Sequence, residues 1–151
     1  MGMLRHRGFT LIELLVVFAI AALLVSVVPF AYGRMQESAQ YRNVLRTILS
    51  DMRSARQQAR LQGTEVRFML DLQTRRYGIE GAVFKEVPAP VQVRATVAGI
   101  ETAGQRFAAI RFLPDGGATG GSIDVFRSSG QGTRLQVDWM SGRVSVESLQ
   151  R

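Results

Sequence analysis

The amino-acid sequence predicts an α+β fold in which a long N-terminal helix packs on an antiparallel β domain, either a sheet or a sandwich. Apolar residues run almost without interruption from residue 9 to residue 31, and apolar spacing typical of a helix continues to about residue 61. Beyond Gly63 the apolar period changes to two, and turn residues recur between short apolar runs. The chain therefore divides into a helical part and a part made of strands.

The helical part has three segments. Residues 1–8 form a short basic leader, residues 9–31 an apolar helix long enough to span a membrane, and residues 32–62 an amphipathic helix. Pro29 removes a helical hydrogen bond and should bend the helix, whereas Gly63 should end it. The predicted apolar face of the amphipathic segment consists of Tyr41, Leu45, Ile48, Met52, Ala55 and Ala59, and arginines occupy the opposite face.

Residues 63–151 form the predicted β domain. Strands are expected at 66–70, 74–79, 91–97, 107–113, 122–127, 133–139 and 143–147. Lys85–Pro90 is predicted to be a loop because it contains two prolines, and Met140–Gly142 to be a tight hairpin turn. We expect Trp139 to lie in the core.

Composition limits the possible functions. The 151 residues carry a formal net charge of +7, no Cys and a single His, His6, which lies in the leader. These counts exclude thiol catalysis, a His-based triad and most structural zinc sites. Because no nucleophile, acid–base pair or metal cluster stands out, we predict a protein that is not an enzyme and has no cofactor or metal. The basic balance suits either acidic partners or a solvated surface.

Three groups of residues could form a phosphate-binding or calcium-binding site. The glycine-rich stretch 116–121 lacks the Lys-Ser/Thr ending of a phosphate loop and leads into a strand, so we interpret it as a turn with positive φ angles. Asp115 and Asp124 lack the spaced run of carboxylates that a calcium site needs. Three arginines of the C-terminal hairpins could bind phosphate or could belong to a solvated sheet face; they are Arg127, Arg134 and Arg143.

Glu13 is the least expected residue of the apolar helix. An unpaired carboxylate in a membrane-spanning helix costs about 2.5–3.5 kcal/mol on insertion scales, so we expect another group to pair with it. A cleaved secretory signal peptide and a plain signal anchor are alternative interpretations of this segment. Glu13 and the lack of a small-x-small cleavage site argue against the signal peptide.

The stretch 7–17, Arg-Gly-Phe-Thr-Leu-Ile-Glu-Leu-Leu-Val-Val, closely resembles the type IV prepilin signal. The resemblance implies that a prepilin peptidase cleaves between Gly8 and Phe9 and methylates the new N-terminal Phe9. It also implies that Glu13 sets subunit register by pairing with the free α-amine of a neighbouring Phe9. Pairing of the two charges would offset the cost of burying them.

Two C-terminal stretches, 111–121 and 137–144, resemble the signature of the minor pseudopilin H family of type II secretion. This implies a type IV pilin-like fold and a non-catalytic subunit at or near the tip of the pseudopilus, which helps to export folded proteins through the outer membrane. The implied partners are the other minor pseudopilins, the major pseudopilin, the inner-membrane assembly platform and the prepilin peptidase. The implied location is the inner membrane, crossed once, with the N-terminus cytoplasmic before processing and the C-terminal domain periplasmic.

The alternative is a minor type IV pilin of the FimT/FimU type, involved in pilus assembly or DNA uptake. Gly142-Arg143 matches the start of an arginine motif found in some such proteins, but Val144 and Ser145 follow where a second Arg would be needed. We therefore expect only weak, non-specific binding to nucleic acid.

Overall fold

The computed structural model describes residues 9–97 and 106–149, with the backbone alone for 27–34. The predicted leader, including Gly8, lies outside these residues. The chain separates into two compact units, Met1–Gln36 and Glu37–Arg151.

Helix α1 spans Leu11–Gln62, within two residues of the predicted bounds. Gly63 ends it with a φ of 66°, the left-handed conformation typical of the residue after a helix. The Gly63 amide also donates a hydrogen bond of 3.0 Å to the Ala59 carbonyl oxygen. Pro29 lies within the helical range, and the bend expected there stays a prediction.

The large apolar side chains of the first unit are exposed wherever they are described, as for Leu11 and Phe18. Among the described residues, no helix combines the length and the apolar character that crossing a membrane requires.

The described part of the β domain forms two four-stranded sheets, and their strands are antiparallel, as the sequence pattern predicts. The strands are β1 (Val66–Asp71), β2 (Arg76–Ile79), β3 (Lys85–Glu86), β4 (Gln92–Val97), β5 (Phe107–Phe112), β6 (Gly121–Phe126), β7 (Gly132–Val137) and β8 (Val144–Leu149). The first sheet has the order β3-β2-β1-β5 and the second the order β4-β6-β7-β8.

Strand β3 lies within Lys85–Pro90, so the prediction of a loop there was wrong for Lys85 and Glu86. Lys85 pairs with Tyr77 and Glu86 with Arg76 at the edge of the first sheet. Both β3 residues are exposed. A strand of two exposed residues has no apolar alternation, which is why the pattern did not indicate it.

The core joins α1 to both sheets. From the helix it takes Tyr41, Val44, Ile48, Met52, Ala55 and Ala59, and from the strands chiefly Phe68, Leu70, Ile110, Phe112, Ile123, Val125, Leu135 and Val137. Val44 is 2% exposed, whereas Leu45 is only half-buried. The predicted apolar face therefore does pack on the core, but Val44, expected to flank it, is more deeply buried than Leu45.

The prediction that Trp139 lies in the core was also wrong, because its side chain is 66% exposed. Strand β7 ends at Val137, so the inward alternation stops before Trp139. A side-chain oxygen of Asp138 accepts hydrogen bonds from the Ser141 amide, at 2.8 Å, and from the Ser141 hydroxyl, at 2.7 Å. These bonds turn the chain toward β8 and leave Trp139 at the tip of the turn.

Candidate functional site

The N-terminus of α1 holds the predicted registration residue in a capping arrangement. The Glu13 amide donates a hydrogen bond of 3.3 Å to the Thr10 hydroxyl oxygen, and the Thr10 amide donates a long one of 3.5 Å to the Glu13 carboxylate. Thr10 is thus the N-cap residue and Glu13 the third helical residue, the reciprocal pattern of a capping box. The negative charge also lies at the positive end of the helix dipole.

This geometry places the Glu13 carboxylate beside the backbone next to Phe9, whose side chain is 80% exposed. Gly8 is outside the described residues, so cleavage after it stays a prediction. Thr10 was not among the residues predicted to form a site. The spacing Thr-x-x-Glu from residue 10 to residue 13 was the signal that could have identified it.

The glycine-rich stretch forms the turn between β5 and β6, as predicted. The Leu113 amide donates to the Gly117 carbonyl oxygen at 2.9 Å, and φ is positive at Gly116, Gly120 and Gly121. The Ala118 amide donates to the Trp139 carbonyl oxygen at 2.9 Å, which ties this turn to the turn between β7 and β8. The two stretches of the C-terminal signature therefore lie side by side.

Asp115 and Asp124 have separate structural roles. A side-chain oxygen of Asp115 accepts a hydrogen bond of 2.9 Å from the Gly117 amide and stabilises the turn. Both carboxylate oxygens of Asp124 accept hydrogen bonds of 2.7 Å from Arg134 on the neighbouring strand, and this pairing raises the pKa of the Arg134 guanidinium. Within the described ranges, no cluster of three or more His, Asp or Glu residues could hold a metal ion.

The three arginines considered for phosphate binding do not act together. Arg134 is held by Asp124, and Arg127 lies over the Tyr41 ring with 4.4 Å between the guanidinium carbon and the ring centroid. Arg143 is exposed and lines a concavity with Arg53 and Arg56 of α1. The structure thus separates these three residues and brings Arg143 to helix arginines that were predicted to lie opposite the apolar face of α1.

Glu37 connects the helix to the same end of the second sheet as Arg127. Its carboxylate accepts hydrogen bonds of 2.7 Å from both the amide and the hydroxyl of Ser128. These bonds lower the pKa of the Glu37 carboxyl, with the side-chain hydrogen bond as the largest cause. The Tyr41 hydroxyl donates to the Thr133 hydroxyl oxygen at 2.7 Å, so several polar contacts complement the apolar packing of α1 on this sheet.

Comparison with known proteins decides the family. The family model described as type II transport protein GspH matches residues 45–142, and the prokaryotic N-terminal methylation motif matches residues 3–29. The chain belongs to the GspH family. It is similar to the type II secretion system protein H of Xanthomonas campestris pv. campestris, with 34% identity over 138 residues that cover 91% of this chain and 81% of that protein.

The GspH-family chain also shares its fold with a solved structure, the minor pseudopilin EpsH from the type 2 secretion system of Vibrio cholerae. The TM-score is 0.55 at 12% identity, and the similarity covers 72% of this chain and 97% of that one. The predicted pilin-like α+β fold is confirmed. The family match likewise confirms the resemblance to pseudopilin H over the FimT/FimU alternative.

Proposed function

We propose that this chain is a minor pseudopilin of a type II secretion system and acts, without catalysing a reaction, at or near the tip of the pseudopilus. It helps to drive folded proteins through the outer membrane. The observation that carries the proposal is the presence in one chain of a GspH match over residues 45–142 and a methylation motif over residues 3–29. The similar Xanthomonas protein is named for the same secretion system.

The N-terminal helix anchors the chain in the inner membrane, crossing it once, with the β domain in the periplasm. The exposed apolar side chains between residues 9 and 25 support this anchoring, because such a surface is stabilised by lipid or by other apolar helices. The partners are the other minor pseudopilins, the major pseudopilin and the inner-membrane assembly platform. The prepilin peptidase cleaves between Gly8 and Phe9 and methylates Phe9; intact-mass measurement of the membrane-extracted chain tests this.

Deletion of the gene tests the proposed function directly. We expect folded proteins exported by the system to accumulate in the periplasm of the deletion strain and to reappear in the medium when the gene is restored. A periplasmic protein that is not exported serves as the control for leakage. Normal export by the deletion strain would refute the proposal.

We also propose that Glu13 sets subunit register through charge as well as through the helix cap. In a single chain, the capping box with Thr10 satisfies backbone donors and does not neutralise the carboxylate. Cleavage before Phe9 would create an α-amine one residue from Thr10. Packed pseudopilin helices could then bring the amine of one subunit to the Glu13 carboxylate of another, since an ion pair is stronger where water is excluded.

Two substitutions separate the cap from the charge. Glu13→Gln keeps a side-chain oxygen that can accept from the Thr10 amide but loses the charge, whereas Glu13→Val loses both. If charge sets register, both variants should insert in the membrane, fail to cross-link to neighbouring pseudopilins, and fail to restore export. If Glu13→Gln restored export while Glu13→Val did not, capping alone would account for the residue and the registration proposal would be wrong.

A further inference from the structure

Four arginines gather where the end of α1 meets the two tied turns of the β domain. Arg53, Arg56 and Arg60 follow one another at spacings of three and four and so share a helix face. Arg143 follows the β7–β8 turn. These residues, here called the arginine corner, line three adjoining concavities of about 430, 330 and 320 Å³. Arg56 lines all three.

The turns hold the corner in shape through two glycines of positive φ. The Arg56 guanidinium donates a hydrogen bond of 3.5 Å to the Gly116 carbonyl oxygen. A Cβ placed on Gly142 would lie 3.1 Å from the Arg56 Nε and would collide with the Gly116 carbonyl oxygen. A Cβ on Gly116 would be 3.8 Å from the Cδ of Arg60. The bare backbone of both turns therefore provides the surface on which Arg56 and Arg60 rest.

The corner has more positive than negative charge. Across residues 9–97 and 106–149, ion pairs join Arg or Lys to Asp or Glu elsewhere, as in Arg106–Asp71 and Lys85–Asp51, but none joins a corner arginine to a carboxylate. Asp115 lines one of the concavities, and the Gly117 amide already occupies one of its oxygens. Arg53, Arg60 and Arg143 are exposed and Arg56 is partly buried, so the corner presents hydrogen-bond donors in excess of nearby acceptors.

Large apolar side chains border the same region. Leu61 lines the first concavity and is 77% exposed, and Met140 lines the third and is 70% exposed. The exposed Trp139 is adjacent to Met140. Arg, Trp and Met are the residue types enriched in the buried centres of protein interfaces.

This composition fits a protein better than a nucleic acid. A site that follows a phosphate backbone needs cations without opposing carboxylates, yet Asp115 lies within the corner and Asp138 follows β7 close by. The charge of Arg143 even contributes to lowering the pKa of the Asp138 carboxyl, after the larger effect of the hydrogen bonds from Ser141. These two carboxylates would repel a chain of phosphates. They can be accommodated by a short segment with only a few carboxylates.

We propose that the arginine corner docks an acidic segment of a partner protein, in which Asp or Glu residues flank an apolar side chain. The carboxylates pair with the guanidinium groups, which bind them with two parallel hydrogen bonds where geometry allows. The apolar side chain covers Met140 and Trp139. The inference rests on the proposed function, under which the partner is another subunit of the same secretion machinery.

A binding measurement on the full-length chain in a neutral detergent tests the inference. The probe is a fluorescein-labelled peptide with two acidic residues beside an apolar one, Gly-Glu-Leu-Asp-Gly, and its binding is measured by fluorescence anisotropy at several salt concentrations. The corner variant is Arg60→Gln with Arg143→Gln; the control, Arg42→Gln with Arg46→Gln, removes the same charge from exposed helix positions outside the corner. We expect the peptide Kd to rise about fivefold to tenfold in the corner variant, as for two exposed ion pairs, and less than about twofold in the control.

A single variant and a second probe are added to this binding measurement. The single variant Arg143→Gln lies outside the helix, so it tests the corner even if the double variant fails to fold. A labelled oligothymidine of ten nucleotides tests the other class of partner. Equal loss of peptide binding in corner and control variants would overturn the inference, as would oligothymidine binding that is tighter than peptide binding and is lost in the corner variant.

Export assays keep this inference separate from the proposed function. We expect the corner variant to restore export to the deletion strain less well than the control variant does. If the deletion abolishes export and the corner variant restores it fully, the docking inference fails while the proposed function stands. If the deletion leaves export unchanged, the proposed function itself fails.

Discussion

Replacing Ile48 by Ala should remove much of the stability of the β domain. The Ile48 side chain is 0% exposed and belongs to the core that α1 shares with both sheets. Truncating a fully buried Ile to Ala costs about 2–5 kcal/mol, because transfer free energy is lost and a cavity remains. Domains of this size are stable by only about 5–15 kcal/mol in total, so the loss is a large fraction of the total and is readily measured.

The same series tests how α1 is rotated against the sheets. Leu45 is half-buried in the structure, so Leu45→Ala should cost roughly half as much as the Ile48 change, about 1–2 kcal/mol. Arg46 is exposed, and Arg46→Ala should change stability by less than about 0.5 kcal/mol. The order of the three costs follows from the burial of each side chain and not from its hydrophobicity, since Leu and Ile are equally apolar.

Urea unfolding of a fragment that begins at Gly33 gives these costs as shifts of the transition midpoint at constant slope. We expect this fragment to fold as a monomer, because it retains the helix face that completes the core, and its cooperative unfolding is the first control. A Leu45→Ala cost equal to or above that of Ile48→Ala would refute the observed helix rotation.

Two further predictions concern the β domain. Gly142→Ala should destabilise this domain by at least about 1 kcal/mol more than Gly63→Ala in the same urea assay. The φ angles of the two glycines are similar, 61° and 66°, but of these two only Gly142 has other atoms where the added Cβ would lie, among them the Gly116 carbonyl oxygen. Equal costs would mean that the two turns separate easily. Hydrogen bonds hold the pKa of the Asp71 carboxyl well below its usual value of about 3.9, and those from the Arg106 side chain have the largest effect. The stability from this pairing is therefore present above that unfolded-state value and is lost as pH falls below it. Between pH 6 and pH 3, Asp71→Asn should lose less stability than the wild type, and parallel losses would contradict this assignment.

Apolar periodicity and recurrent turn residues together predicted the helix and seven of the described strands, because burial imposes a repeat on the sequence and turn residues mark where it is interrupted. It did not establish which of two adjacent apolar residues is central, because Val44 and Leu45 both fit the stripe and only contact with the sheets distinguishes them. It also did not indicate where β7 ends, because Trp139 continues the alternation while Asp138 turns the chain. Hydrogen bonds between residues three apart form both the turn at Asp138 and the helix cap at Thr10.

The candidate sites differ in how far the sequence could predict them. Phe9 and Glu13 lie in one short stretch of the sequence, so its resemblance to the prepilin signal was enough to predict their roles. The arginine corner is different, because Arg143 is far along the chain from Arg53, Arg56 and Arg60. Only the fold brings these residues together, and on the sequence alone the helix arginines fit the solvated face of an amphipathic helix.

The two stretches that resemble the pseudopilin H signature are explained in the structure mainly as scaffold. Gly116, Asp138 and Gly142 form and join the two turns through backbone contacts. The exposed side chains next to them, such as Arg143, contribute little to those contacts and are available to a partner. A scaffold change and a contact change should therefore act differently: Gly142→Ala should lower stability and also displace Arg56, whereas Arg143→Gln should leave urea unfolding unchanged and weaken docking alone.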